Sequence, residues 1–335
     1  MSASVRDVAA SARVSIGTVS NVLNHPEKVS PAVLANVHNA IRELGFIRNG
    51  AARQLRAGRS RTIGLIVLDV RNPFFTDLAR GAEDRAAVSG LSIFLGNTDE
   101  DAERESTYLD LFEEQRALGV LISPYGPILD RLEILRARGI SAVLVDRSAE
   151  GSSFSSVSVD DVAGGRLAVR HLIAEGNRRI AFVGGTGRIT QVSDRLAGAR
   201  AAVAEESGAI LEVIQTSALG VADGQQAARG LLERAPADRP DAIFAANDLI
   251  ALGVLQTLVV SGVRVPQDVA IIGYDDIDFA SFAIVPLSSV RQPSMLIGGT
   301  SVDLLMEEVE NPDLPPRQIV FQPELVARAS THRLQ

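Results

Sequence analysis

The chain has 335 residues, with 41 Asp and Glu against 33 Lys and Arg, a formal net charge of −8, no cysteine and 4% aromatic residues. Disulfides and thiolate metal sites are therefore excluded, and the length suffices for a small module plus a body of two lobes, each with its own core. No apolar run reaches the ~18 residues of a membrane span and no basic-then-apolar leader opens the sequence, so no membrane partner is expected.

Residues 5–24, VRDVAASARVSIGTVSNVLN, read as two short helices joined by a tight turn. Ser4 caps the first, with Asp7 as its capping-box partner, and Val5, Val8 and Ala9 give helical apolar spacing. Ser11-Ala12-Arg13 forms the turn. Ser15 caps a second helix that turns Ile16, Gly17, Thr18 and Asn21 to solvent and Val19, Val22 and Leu23 inward. A third helix follows Ser30-Pro31 and stops at Gly45, with Val33, Leu34, Val37, Ile41 and Leu44 closing a three-helix core. The next segment, NGAARQLRAG, has a cap, an alanine-rich turn or two and a glycine stop. Isolated helices this short are marginal in water, so it is expected to order only against a partner, and DNA is the candidate. Leu55 between Arg53 and Arg56 suits an apolar wedge between base steps, flanked by charges for phosphates. Charge agrees: up to Arg61 there are nine basic residues against three acidic, net +6, leaving 24 against 38 in the remainder, net −14. A basic end on an acidic body binds polyanions through that end alone.

Beyond Thr62 strands and helices alternate. Ile63–Leu68 is a continuous apolar run, as in a strand buried on both faces of a parallel sheet. Leu91–Leu95, Val120–Ser123 and Ala142–Val145 keep the rhythm, which restarts at Ile180–Gly184, Glu212–Thr216, Ala242–Ala246 and Val269–Gly273. This βαβ repetition predicts two successive doubly wound lobes, with a first crossover near Asp160-Asp161 and a second near residues 289–292. Open α/β sheets bind small molecules beyond the carboxyl ends of their strands. Those loops carry Asp69, Asn72, Phe74, Phe75, Asn97, Tyr125, Asp146 and Arg147 in the first lobe, and Gln191, Arg195, Leu219, Asn247 and Asp275 in the second. All thirteen are taken as candidate effector-binding residues.

Residues 5–24, the stretch from Val29 through Val67, and the segments DVRNPFF, AND, VPQDV, IIGYDD and PELVARAST together resemble the LacI/GalR family of bacterial transcription regulators, in the family's order along nearly the whole chain. The resemblance implies an all-α helix-turn-helix headpiece (1–47), a hinge helix and linker (48–61), and an α/β body (62–335) of two periplasmic-binding-protein-like lobes. A helix over 293–309 and a strand over 318–321 then return to the first lobe, giving lobe 1 as about 62–160 and 292–321 and lobe 2 as about 161–291. It also matches Phe74 and Phe75 to aromatic lining positions, and Arg195 with Asp275 to a fork-and-carboxylate pair holding polar ligand groups. Arginine donates in a planar fork and aspartate accepts from hydroxyls, which suits a sugar. Leu219 stands where an aromatic is frequent, Asn21 where arginine is common, and Arg13 where glycine or asparagine is usual. Arg147 adds a positive charge near the loops that fits an anionic ligand or a solvated side chain equally.

The reading is a ligand-responsive, sequence-specific transcription regulator, with repression the expected sign, working as a cytoplasmic, nucleoid-associated homodimer on a near-palindromic double-stranded DNA operator. Ile16, Gly17, Asn21 and Leu55 are assigned to base reading; Ser15, Thr18, Ser20, Asn24, Lys28, Arg53 and Arg56 to phosphates. The effector is a small polar molecule such as a sugar. No cofactor or metal is expected: His25, His38, His171 and His332 are scattered, Asp275-Asp276-Asp278 suits caps, and Gly184–Gly187 lacks a phosphate-loop ending. No activated nucleophile is evident, so no enzyme is expected. Two other classes fit the same residues: a ligand-independent architectural DNA binder, and a soluble sugar-binding or sugar-modifying protein.

Overall fold

A computed structural model describes residues 3–46, 60–185 and 187–332. The chain divides into two compact units, Met1–Arg59 and Ser60–Gln335.

In the first unit α1 (Val5–Ser11) and α2 (Ile16–Asn24) flank the turn. Ser4 and Asp7 form the expected capping box: Asp7 Oδ2 accepts from the Ser4 backbone N–H at 2.8 Å, and the Asp7 N–H donates back to Ser4 Oγ at 3.3 Å. Arg13 holds a left-handed φ of 53°, the conformation that strains a side chain with a Cβ. After a 3-10 turn (Pro26–Lys28), α3 (Pro31–Glu43) packs on the pair, and Asn36 Nδ2 donates to the Ala12 carbonyl at 2.7 Å. Val8, Ala9, Ala12, Val19, Val22, Val37 and Ala40 are buried together. Leu44, expected in this core, is 39% exposed. It caps the helix on the outer face, and the left-handed Gly45 sends Phe46 back to donate its N–H to the Ile41 carbonyl and pack in its place.

The second unit contains two six-stranded sheets. The first is built from β1 (Thr62–Val67), β2 (Ser92–Asn97), β3 (Gly119–Ile122), β4 (Ser141–Val145), β5 (Ser155–Val159) and β11 (Gln318–Phe321), in the order β11-β5-β4-β3-β1-β2. The second uses β6 (Arg179–Gly184), β7 (Ile210–Gln215), β8 (Ala242–Ala245), β9 (Ala270–Asp275), β10 (Ser288–Arg291) and β12 (Glu324–Val326), in the order β12-β10-β9-β8-β6-β7. Every pairing is parallel except β10 with β12. This is the doubly wound arrangement twice, with the switch between β1 and β3 and again between β6 and β8. Helices α4 (Pro73–Val88), α5 (Ala102–Glu114) and α6 (Leu129–Ala137) cover the first sheet with α12 (Ser294–Glu310). The second has α7 (Asp161–Ala174), α8 (Thr190–Ala204), α9 (Val221–Leu232), α10 (Asp248–Val260) and the short α11 (Asp278–Phe282).

Two features depart from the sequence reading. The fully buried strand β5 has the sequence SSVSV, without the apolar run taken as the mark of a central strand. Two of its three serines find partners: Ser155 Oγ donates to Glu308 and Ser156 Oγ to Gln318, and the Ser156 N–H donates to the Arg317 carbonyl at 2.9 Å; Ser158 Oγ is buried without a partner among the described residues. The chain also crosses between sheets a third time, because β12 returns to the second sheet after β11 has joined the first.

Close helix contacts hold each lobe. A Cβ on Gly81 of α4 would lie 2.1 Å from the Met295 carbonyl oxygen, and one on Gly298 of α12 would lie 2.0 Å from that of Leu78. Only glycine permits that approach.

Candidate functional site

On the headpiece, Ile16 is 50% exposed at the start of α2, with Gly17 and Asn21 exposed beside it. A Cβ on Gly17 would meet only Ser15 Oγ, at 3.6 Å, so the glycine keeps open a place that the headpiece itself leaves free. Ser15 Oγ accepts from the Thr18 N–H at 3.0 Å and lies 2.9 Å from Thr18 Oγ1. Asn24 Nδ2 donates to the Ser20 carbonyl at 2.9 Å, and Lys28 is exposed in the 3-10 turn. These polar side chains therefore set the helix ends as well as facing outward. Leu55, Arg53 and Arg56 lie outside the described residues.

In the body the two lobes meet face to face across a cleft lined by Leu68, Asp69, Asn72, Phe74, Phe75 and Glu100 with Asp146 from the first lobe, by Ile189, Gln191, Val192, Arg195, Leu219, Asn247 and Asp275 from the second, and by Gln292 at a crossover. Its volume is about 40 Å³, room for about three waters, so a sugar enters only as the lobes part. Polar side chains bridge the gap: Asn72 Nδ2 donates to Asp275 Oδ2 at 2.8 Å, and Gln191 Nε2 to Asp146 Oδ2 at 3.0 Å. Asn72 also caps α4, its Oδ1 accepting from the Phe74 N–H at 3.1 Å. The edge-on Phe74–Phe75 pair, centroids 5.1 Å apart, is thereby fixed at the cleft wall. Asn247 spends its amide on structure, accepting from Ile250 N–H at 2.9 Å and donating to the Leu219 carbonyl at 3.0 Å. Asp146, Glu100 and Asp275 hold positive φ values of 59°, 56° and 106°, a backbone strain that functional sites accumulate.

A sequence profile of bacterial regulatory proteins of the lacI family matches residues 4–49, and one of a periplasmic binding protein-like domain matches residues 169–331. The ribose operon repressor of Escherichia coli strain K12 is 34% identical over 330 residues, spanning 98% of this chain and 99% of the relative. The chain belongs to the LacI family of bacterial transcription regulators. The HTH-type transcriptional repressor PurR of Aliivibrio fischeri strain MJ11 is 32% identical over 330 residues, 98% of both chains. Among solved structures, the Lac repressor dimer bound to operator and the anti-inducer ONPF superposes with a TM-score of 0.83 at 28% identity, covering 99% of each chain. A LacI family transcriptional regulator from Enterococcus faecium with bound ribose gives 0.74 at 29% identity, covering 82% of this chain and 100% of the other. This LacI-family protein is thus a ligand-responsive DNA-binding regulator and not an enzyme.

Of the effector residues read from the sequence, Asn97, Tyr125 and Arg147 fall outside the cleft lining of this LacI-family regulator. Asn97 Oδ1 instead accepts from the Val70 N–H at 3.0 Å and holds the loop that presents Asp69 and Asn72. Tyr125 gives its backbone N–H to Glu105 Oε2 at 2.8 Å, and Arg147 folds onto its own lobe, Nη1 donating to the Gly126 carbonyl at 2.8 Å. Sequence reasoning missed Glu100 and Gln292, both near positions that it had marked: Glu100 follows the Asn97–Asp99 loop, and Gln292 sits at the second crossover. It missed Asp161 as well, taken only as a boundary. Arg195 is 5% exposed and gives its Nε to Asp161 Oδ1 at 2.8 Å, while Asp275 Oδ1 lies 3.9 Å from its Nη1. Its Nη1 also donates to the Ala246 carbonyl at 2.8 Å, and its guanidinium lies 3.8 Å from the centroid of the Tyr274 ring.

The electrostatics are those of an acidic cleft. Burial, with Asp161 next, pushes the Asp146 carboxyl well above the usual carboxylate range. Burial also raises Asp161 and Asp275, in both cases against the pull of Arg195. Glu100 is pushed up to about 7 by burial and by the neighbouring Asp69 and Asp223. Asp146 Oδ1, Gln191 Oε1 and Gln292 Oε1 are buried without a hydrogen-bond partner among the described residues. Native interiors rarely leave such acceptors unpaired, and all three residues belong to the cleft lining.

Proposed function

We propose that the chain is a repressor whose effector is a small uncharged polyol of monosaccharide size, captured between the two lobes. The observation that carries this is the set of buried, unpaired acceptors on Asp146, Gln191 and Gln292, in a cleft lining that also contains Phe74 and Phe75. Such acceptors call for the hydroxyl donors of a sugar, and aromatic faces suit its C–H surfaces. Asp69, Glu100, Asp146 and Asp275 against Arg195 make the lining acidic, so an anionic effector is disfavoured. Relatives named for the ribose operon and the ribose-bound Enterococcus faecium structure support a pentose.

Exposed Ile16, Gly17 and Asn21 read major-groove edges: Ile16 suits a thymine methyl, Asn21 an adenine, and Gly17 gives space. Ser15, Thr18, Ser20, Asn24 and Lys28 position the helix on phosphates. The segment 48–61, with Arg53, Leu55 and Arg56, is the hinge that opens a central base step. We take the protein to be a cytoplasmic homodimer on the nucleoid, since each lobe exposes apolar side chains: Val88 and Phe94 at 78% and 53%, and Phe282 and Ile284 at 83% and 79%. Lobe rotation on effector binding shifts the two hinges of the dimer and so the DNA affinity, in proportion to the effector's preference between the two states.

The test starts from duplexes selected from a randomised pool by the full chain, with affinity then read by fluorescence anisotropy. A two-fold-symmetric, salt-sensitive site whose affinity shifts with D-ribose or another neutral sugar is expected. Affinity that no sugar changes would favour a ligand-independent architectural role.

A further inference from the structure

Glu100 lies in the cleft wall with a left-handed φ of 56°, directly after Asp99 at 55°, its backbone N–H tied to the Leu68 carbonyl at 3.3 Å. The loop that carries Glu100 is thus anchored at the cleft wall, and Glu100 contributes to the lining. The groups facing it are mostly of its own sign. Asp69 comes from the loop after β1, Asp99 from its own loop, and Asp223 from the opposite lobe at the start of α9. Asp223 is fixed, accepting from Ser217 Oγ at 2.8 Å, Ala218 N–H at 3.0 Å and Gly220 N–H at 3.2 Å. The nearby cation, Arg71, is already engaged by Asp69 at 2.9 Å and by Asp99 at 2.5 Å, and Arg104 reaches Asp99 at 3.3 Å. Deeper in the cleft, Arg195 is matched to Asp161 and Asp275.

We propose that Glu100 is a specificity-determining residue at the cleft: standing in the lining among Asp69, Asp99 and Asp223, it admits uncharged effectors, rejects anionic ones and couples capture to proton uptake. When the lobes part, Glu100 leaves Asp223 and enters water as a carboxylate. When they close over a neutral polyol, the carboxylate takes a proton from solvent. A phosphate or carboxylate on the effector meets Asp69 as well, while the nearby cations, Arg71 and Arg195, are already matched by carboxylates among the described residues. The inference rests on the polyol reading and deepens it.

The experiment is isothermal titration calorimetry on the full chain with D-ribose and with D-ribose 5-phosphate, at pH 6 and pH 8, in buffers of different ionisation enthalpy. For a carboxyl moving from its ordinary range to about 7 on closure, linkage weakens D-ribose binding about ten-fold between pH 6 and pH 8 and shows proton uptake near neutrality. Glu100→Gln is expected to abolish the pH dependence, bind D-ribose about 300-fold more tightly than the wild type at pH 8, because the wild-type carboxyl must then move from its ordinary range to about 7, and narrow the discrimination against D-ribose 5-phosphate by on the order of ten-fold. A pH-independent wild type, a Glu100→Gln protein that keeps the wild-type pH profile, or one weaker at both pH values would overturn the assignment. D-ribose binding to neither protein would sink the pentose reading itself, and this inference with it.

Discussion

Arg195→Met removes the cation around which the cleft floor is arranged and fills much of the same volume. The side chain is 5% exposed, with Asp161 Oδ1 at 2.8 Å, Asp275 Oδ1 at 3.9 Å and the Tyr274 ring at 3.8 Å. Breaking a buried pair by deleting one partner costs about 3–5 kcal/mol, because a charge is left uncompensated; the lost ring contact adds to this. We expect a loss of about 4 kcal/mol, and a fall in the melting temperature of about 8–12 °C for a unit of this size. The pH dependence carries the sharper signature. Asp146, Asp161 and Asp275 have raised carboxyl pKa values in the folded chain, burial being the leading cause and Arg195 the opposing one. A raised folded pKa means the native state holds protons that the unfolded chain has released, so stability is fully present below the ordinary carboxylate pKa and is lost as pH rises through the folded value. Without Arg195 those values climb further, so the deficit against the wild type grows as pH rises above the ordinary carboxylate range, by at most about 1.4 kcal/mol per pH unit for each carboxyl involved. Urea unfolding at pH 5, 6.5 and 8, followed by circular dichroism, measures this. A deficit under about 1 kcal/mol, or one flat across that pH range, would refute the view that Arg195 compensates these buried acids.

Arg13→Gly should stabilise the headpiece by about 1 kcal/mol, since φ is 53° there and a left-handed residue with a Cβ is strained by about 1–2 kcal/mol. Thermal melting of the headpiece transition reads the gain, and an unchanged or lowered midpoint contradicts it. Gly81→Ala drives a Cβ to 2.1 Å from the Met295 carbonyl oxygen and should destabilise the body by about 1–3 kcal/mol. Gly230→Ala, where nothing lies within 4 Å of the new Cβ, should instead add about 0.5–1 kcal/mol by helix propensity; equal effects in chemical unfolding would dispose of the close-crossing account. Ser15→Ala removes the acceptor of the Thr18 N–H and should cost about 1 kcal/mol of headpiece stability, checked by the same melting experiment.

The elements that announce themselves in the sequence are those whose signal is local. The caps at Ser4 and Ser15 and the apolar strands β1, β3 and β8 depend on a few adjacent residues. Strand β5 does not: Ser155 and Ser156 are tolerated because Glu308 and Gln318, more than a hundred residues later, meet them. Most cleft residues were legible because strand ends in a doubly wound sheet point to one side. The remainder turned on partners that no spacing reveals. Arg147 has a carbonyl in its own lobe to bind, Asn97 a loop to hold, and Arg195 finds its nearest carboxylate in Asp161, at the first residue of α7. Glu100 entered the site through two consecutive left-handed residues, which its sequence, Asp99-Glu100, does not advertise.

The third crossing between the lobes bears on how the body is made. The first sheet needs β11, ending at Phe321, and the second needs β12, ending at Val326. Just beyond, the Ser330 carbonyl accepts from the Ile271 N–H at 2.9 Å and Ser330 Oγ from the Ser288 N–H at 2.8 Å, lacing the tail into the second lobe. Neither sheet can be completed while the ribosome still holds these residues. The two lobes, which look like modules that could be finished one after the other, gain their last edge strands almost together, because β11 and β12 are neighbours in sequence.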